Sequence, residues 1–331
     1  MSNRFEKYRN DLILSKNSTF IRALDKNLFK DYNNNHILLQ ESTESYNLLI
    51  NLFMRLDKIS TEFGEKTIDK LIEDKLAAGK YRYNPDTFRQ VISEIDLIGY
   101  YLRFFINFIS NVIYEPRLNI GSKKNPEIMF DYKGSTFEIE VKSPTFTEQI
   151  IDEDLVVNYK VSDERYRQLQ KIKPRPHFPP FYKIKEYLES AQSKFSQKAA
   201  DHLSNHYGFL AINWEDKNAW FENIDAMFFN NVTGIFTNNS FIKDRNGKVE
   251  KFDRICGVLF YRRIPTEFGN SNKFIDYRLS ERYFIKNPFA KEIDDKLIHQ
   301  LLIPNKVLKP KKEYDEITEY DLESNPIFLY P

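Results

Sequence analysis

The sequence predicts a mixed α/β fold built on a central sheet and preceded by a helical region. Three observations predict it: a long helical stripe after Asn84-Pro85-Asp86, two alternating runs around Lys133-Gly134, and a later helix followed by an apolar run at 207–212. The chain has 331 residues, room for one large domain or two modest ones. Hydrophobic residues make up 41% and charged residues 29%, so a substantial core can form. The 28 Phe and 20 Tyr make that core aromatic-rich, because these rings bury a large area each.

The elements follow in order. Residues 1–80 read as helical, with apolar residues at helical spacing near 41–59 and 64–78 and a polar loop at Asn33-Asn34-Asn35. Asn84 is a good N-cap, Pro85 fits the first helical position, and Asp86 suits the positive end of the dipole. Phe88, Val91, Ile92, Ile95, Ile98, Leu102, Phe105, Ile106 and Ile109 then recur at steps of three and four and form one apolar face. Pro116 and Gly121 punctuate the next stretch, and strands are expected at 114–120, 127–132 and 136–142. Residues 143–182 form a long irregular insertion rich in Pro and charge, with a short helix after Ser162; segments of this length are usually functional or mobile. A helix is expected over 183–205, with Ile184, Leu188, Ala191, Phe195 and Ala199 on one face. Strands follow at 207–212, 225–236, 254–262 and 274–285. The division is a helical region at 1–80, a core at 81–300 and a charged peripheral tail at 301–331.

Composition narrows the function. A formal net charge of +1 removes any whole-chain electrostatic argument for nucleic acid, so a binding surface must be a local patch. The single cysteine, Cys256, rules out an internal disulfide or a cysteine zinc cluster, and its apolar surroundings suit a core residue. His202 and His206 are four apart but lack the Glu and the third ligand of a zinc site. No phosphate-cradling glycine loop is present. The charged start of the chain lacks a signal core, and no run approaches the roughly 18 apolar residues of a membrane span. A soluble cytoplasmic protein with no membrane partner is expected.

The chemistry sits at 125–142. A two-residue Lys133-Gly134 loop between alternating runs is a hairpin signal, because Gly accepts positive φ. It pairs Tyr132 with Ser135, Phe130 with Phe137 and Ile128 with Ile139, which sets Glu127 opposite Glu140. Ile128, Phe130, Phe137, Ile139 and Val141 share a core face; Glu127, Met129, Asp131, Glu138, Glu140 and Lys142 share a polar one. Opposed carboxylates repel, and a divalent cation is the natural compensation. Lys142 points the same way and could bind phosphate or help activate a water. On the preceding helix, Glu94 lies at the edge of the apolar face and can reach the sheet, whereas Asp96 falls outside it and is expected to face water.

Pro126-Glu127 followed by Glu140-Val141-Lys142 resembles the PD-(D/E)XK nuclease superfamily, which includes many restriction endonucleases. The resemblance covers about 86–213 and implies a restriction-endonuclease-like core of helix, three strands, helix and strand within a mixed sheet. It implies metal binding by Glu127, Glu140, the Val141 carbonyl and Glu94, with Lys142 positioning the attacking water. The cofactor would be Mg2+, with Mn2+ able to replace it. The sequence departs from the family in having Glu127 where Asp is usual; the longer side chain carries the carboxylate outward. Asp131 is the rival first acid, but its register partner is Thr136, far from Glu140.

Substrate grip is expected from Arg165, Arg167, Lys171, Lys173 and Arg175 in the insertion, and from Lys183 and Lys185 on the next helix, whose charges could neutralise phosphates. Tyr166, His177, Phe178, Phe181 and Tyr182 lie among them and could stack on bases. Gln192 is a further candidate contact. The expected activity is phosphodiester hydrolysis on nucleic acid, DNA first, of restriction or anti-phage defence type; cutting two strands would suggest a homodimer. Two alternatives stand beside it: a catalytically silent nucleic-acid-binding or scaffold protein of the same fold, and an unrelated α/β protein whose hairpin merely has a charged face. The last predicts no clustering of Glu94 with the hairpin acids.

Overall fold

The computed structural model describes residues 19–24, 26, 27, 38, 52, 64–76, 85–105, 107–118, 125–144, 180–214, 224–230, 234–266 and 276–310. Its helices are α1 (Thr19–Leu24), α2 (Glu65–Leu71, continued by a π turn at Ile72–Leu76), α3 (Pro85–Phe105), α4 (Pro180–Lys194), α5 (Ile224–Phe229) and α6 (Asp295–Leu301). Its strands are β1 (Ile109–Tyr114), β2 (Ile128–Tyr132), β3 (Ser135–Lys142), β4 (His206–Asn213), β5 (Gly257–Thr266), β6 (Asp276–Lys286) and β7 (Lys306–Leu308). The protein is therefore α/β, with one mixed seven-stranded sheet whose strands lie side by side in chain order. β1, β2 and β3 are antiparallel; β4 and β5 run parallel to β3; β6 reverses, and β7 runs parallel to β6.

The hairpin forms in the register that its turn dictates, with Tyr132 opposite Ser135, Phe130 opposite Phe137 and Ile128 opposite Ile139. Lys133 (φ 49°) and Gly134 (φ 76°) both take positive φ, the conformation whose twist matches that of the flanking strands. Layers cover both faces of the sheet. On one, Ile128, Phe130, Phe137, Ile139 and Val141 pack with residues of α1, α2, α3 and α6; on the other, Leu210, Ile212, Val258 and Phe260 pack with α4 and α5. β4 is apolar on both sides because parallel strands between two helical layers meet no solvent.

Several expectations need correction. The polar face of the hairpin is less exposed than expected: α4 packs against β3, Glu127, Glu138 and Glu140 are buried, and Met129, Asp131 and Lys142 are half-buried. The long helix stops at Phe105, where the Phe108 N–H turns back to the Phe105 carbonyl, so the first strand occupies 109–114 rather than 114–120. The second helix spans 180–194, and 197–199 is a separate 3-10 turn. Residues 224–229 are helical, not strand, because Ile224 and Phe228, four apart, join one core in which the Phe228 ring packs edge-on to Phe260. Asp96 is buried, since the N-terminal region packs against α3 as well as the sheet. Of that region, Phe20, Leu38, Leu52 and Ile68 share a core with Tyr101 and Phe130. The expected tail supplies β7. The insertion beyond Pro144, with the helix after Ser162, lies outside the described residues, as do Asn33-Asn34-Asn35, the Asn84 cap and the tail beyond Pro310. Among the described residues, no helix is long and apolar enough to cross a membrane.

Candidate active site

Glu127 begins the β2 side of the hairpin and is pinned by its backbone. Its N–H donates to the Ile139 carbonyl at 2.9 Å, and its own carbonyl accepts from the Glu115 N–H at 3.0 Å. This holds it against the C-terminal half of β3, where Glu140 and Lys142 project towards α4. The end of α4 comes close to the sheet because β4 carries Gly208 there. A Cβ at that position would lie 2.6 Å from the Phe195 ring and would strike the Arg254 carbonyl. The glycine thus lets Phe195 seat, and Phe195 sets its neighbours: Lys194 over Glu140 and Ser196 over Glu138.

The result is a network of four carboxylates and three ammonium groups. Lys194 Nζ lies 2.5 Å from Glu140 Oε1 and 3.7 Å from Glu127 Oε1. Lys142 Nζ lies 2.6 Å from the same Glu140 oxygen. From α3, Glu94 enters through Lys75, whose Nζ is 3.1 Å from Glu94 and 3.5 Å from both Glu127 and Glu115. Glu94, Glu127 and Glu140 are 1%, 4% and 0% exposed, whereas the three lysine side chains keep partial access to solvent. The network is an acidic floor under a basic mouth.

Burial dominates the electrostatics. It pushes the Glu94 carboxyl up to about 8, with the charge of Glu127 adding to the shift and Lys75 opposing it. Burial likewise raises Glu140, helped by Glu127 and opposed by Lys142 and Lys194. Burial works against the charge of Lys75 and Lys194, but the surrounding carboxylates outweigh it and hold both above the ordinary lysine range. One atom stands out: Glu140 Oε2 is buried and has no hydrogen-bond partner among the described residues. Leaving such an oxygen unsatisfied costs about 1–3 kcal/mol or more.

Among the described residues, no three His, Cys, Asp or Glu side chains form a group that could hold a metal ion. The donor set that does converge is a pair: Glu127 and Glu140 share one cationic centre, Lys194, with the open oxygen of Glu140 beside it. Two carboxylates completed by water and substrate phosphate are a donor set that Mg2+ takes in general; here the ammonium of Lys194 lies between the two acids. Glu94 meets Glu127 at Lys75, to one side of that centre. Val141, between Glu140 and Lys142, buries its side chain in the opposite core.

The remaining sequence candidates divide. Asp131, the rival acid, accepts from Thr136 Oγ1 and Asn111 Nδ2, both at 2.6 Å, near the turn. Gln192 is spent on a loop: its amide donates to Asp253 and accepts from the Arg254 N–H. Lys185 is buried and pairs with Glu189 at 3.8 Å, a poor geometry for meeting phosphate. Lys183 is exposed, beside Glu186 and over the Tyr187 ring. Arg165, Arg167, Lys171, Lys173 and Arg175, with Tyr166, His177 and Phe178, lie outside the described residues. Lys75 and Lys194 escaped the sequence reading. Lys194 had a usable signal, because it stands three residues past Ala191 and just before Phe195 on the apolar face of α4. Lys75 had none, since its partners lie 19 to 52 residues away.

The network lies towards the C-terminal ends of the parallel strands β3, β4 and β5. There Asn213 donates to Ser93 Oγ at 2.7 Å and the Tyr261 hydroxyl donates to the Ser93 carbonyl, tying α3 next to Glu94. Ligands of open α/β sheets bind at this end. No family model matches the chain, and no curated protein or solved structure matches it either.

Proposed function

We propose that the chain is a Mg2+-dependent phosphodiesterase, a DNA endonuclease of restriction or anti-phage defence type built on the PD-(D/E)XK plan. The observation that carries this reading is the convergence of Glu127 and Glu140 on one cationic centre, with Lys142 alongside and a buried oxygen of Glu140 left open. Two further features support it. The chain order α3, β1, β2, β3, α4, β4 agrees with the helix, three strands, helix and strand that the sequence resemblance implies. Glu94 also clusters with Glu127, which a merely charged hairpin face does not predict.

In this reading Glu127, Glu140 and the Val141 carbonyl would hold the ion, with Glu94 on α3 to one side. When bound, Mg2+ polarises the phosphate and lowers the pKa of a water molecule. Lys142, anchored on Glu140, orients the nucleophile and steadies phosphate charge. Lys183 and the basic residues 165–175 would hold the DNA backbone, and cutting both strands would take two copies of the chain.

A second reading is a silent nucleic-acid-binding protein of the same fold. It is favoured by the absence of a three-carboxylate group among the described residues and by the lysines that already neutralise the acids. Incubation with supercoiled plasmid in Mg2+ or Mn2+ separates the two. Nicking by wild type that is lost in Lys142→Ala and Glu140→Ala supports the nuclease. Equal cutting by the variants rules this site out, and binding without cutting selects the silent protein.

A further inference from the structure

We propose that Lys194, seconded by Lys75, is a built-in stand-in for the metal: its ammonium occupies the place between Glu127 and Glu140 that the divalent ion must take, so metal enters only by displacing it. This rests on the reading of Glu127 and Glu140 as the metal pair. The placement is the argument. Lys194 Nζ is the group that touches both acids, at 2.5 and 3.7 Å, although it comes from a different layer of the fold. Lys142 also lies against Glu140, so a second ammonium on the same oxygen is more than that oxygen needs. Yet Glu140 Oε2 remains buried and without a hydrogen-bond partner among the described residues. An ammonium carries one charge and is satisfied by hydrogen bonds to single oxygens; a divalent ion can draw on both oxygens of a carboxylate. Lys194 therefore neutralises the pair without completing it.

The same logic gives Lys75 a lesser part. It bridges Glu127 to Glu94 and Glu115 and so offers the Glu127 carboxylate a second cation beside Lys194. Both lysines keep side-chain surface at the mouth, so a displaced ammonium has solvent to move into. The device holds two buried carboxylates together in the metal-free chain, where they would otherwise repel each other. Its consequence is a metal affinity set below what the carboxylates alone would give.

Mn2+ titrated into the full chain by calorimetry tests this. We expect Lys194→Met to bind Mn2+ at least tenfold more tightly than wild type, Lys75→Met to gain less, and Glu140→Gln to lose binding. Should Lys194→Met fold poorly without metal, recovery of its circular dichroism on adding Mn2+, at concentrations too low to shift the melting of wild type, is the same result read another way. Wild-type binding that Glu140→Gln abolishes, with Lys194→Met unchanged or weaker, overturns the stand-in role and leaves the metal pair intact. Failure of both wild type and Lys194→Met to bind Mn2+ overturns both.

Discussion

Glu138 and Glu140 stand two residues apart on one face of β3, each wholly buried, each beneath the end of α4, and they are held in opposite ways. Glu138 accepts from the Ser196 N–H at 2.8 Å and from the Ser196 hydroxyl, and His206 Nδ1 lies 3.4 Å from it. It fastens the 3-10 turn Gln197–Ala199 to the sheet by capping the residue before it. Glu140 takes two ammonium groups on a single oxygen and leaves the other oxygen bare. A carboxylate with a fixed donor on each oxygen has nothing left to bind with. One balanced by movable side chains can exchange them for another cation. Under the proposed function, this difference is what separates a structural acid from a functional one at equal burial.

The largest effect that can break this contrast is on activity. Glu140→Gln should lower plasmid nicking by on the order of 100- to 1000-fold, about 3–4 kcal/mol of transition-state stabilisation, while its unfolding free energy moves by less than about 1 kcal/mol. Glu138→Ala should do the reverse. It strands the Ser196 donors in the core and should cost about 2–4 kcal/mol in urea unfolding, with the nicking rate of the folded fraction unchanged. Similar losses of activity in both variants would erase the distinction. Next in size is Gly208→Ala, which must push Phe195 and the end of α4 off the sheet; thermal unfolding should show a loss of about 1–3 kcal/mol. Because Phe195 sits between Lys194 and Ser196, both acids should feel that shift.

The smallest effect is on pH dependence. Burial raises the Glu94 carboxyl from an ordinary 4.5 to about 8, so the folded state holds its proton where the unfolded chain has released it. Its contribution to stability is complete below about pH 4.5 and is lost as pH rises through 8. Glu94→Gln, which mimics the protonated form, should flatten the decline measured by chemical unfolding between pH 5 and 8, by about 1–2 kcal/mol across the window. An unchanged slope would show that Glu94 already ionises at neutral pH.

Local rules made part of this molecule legible in advance. The turn at Lys133-Gly134 fixed the hairpin register, because positive φ at both positions is a demand that few residues meet. The register in turn set Glu127 against the C-terminal half of β3. Periodicity found α3, α4 and β4, since each repeats its apolar side chains at a helix or strand period over many residues. It failed at 224–229, where six residues are too few for the period to separate helix from strand, and at 109–114, where one apolar stripe ran past the helix end.

Sequence by itself thus determined an α/β chain, the hairpin with its pairing, and the identity of Glu127, Glu140, Lys142 and Glu94 as a candidate set. Tertiary structure decided what surrounds them: that Glu138 and Glu140 are buried beneath the end of α4, that Lys194 and Lys75 arrive from distant segments to neutralise the acids, and that Glu138 is satisfied while one oxygen of Glu140 is not. The reason is range. Backbone dihedrals and side-chain alternation act between neighbours and are written in short stretches, whereas burial and charge pairing depend on which remote surfaces pack together, and only the folded chain specifies that.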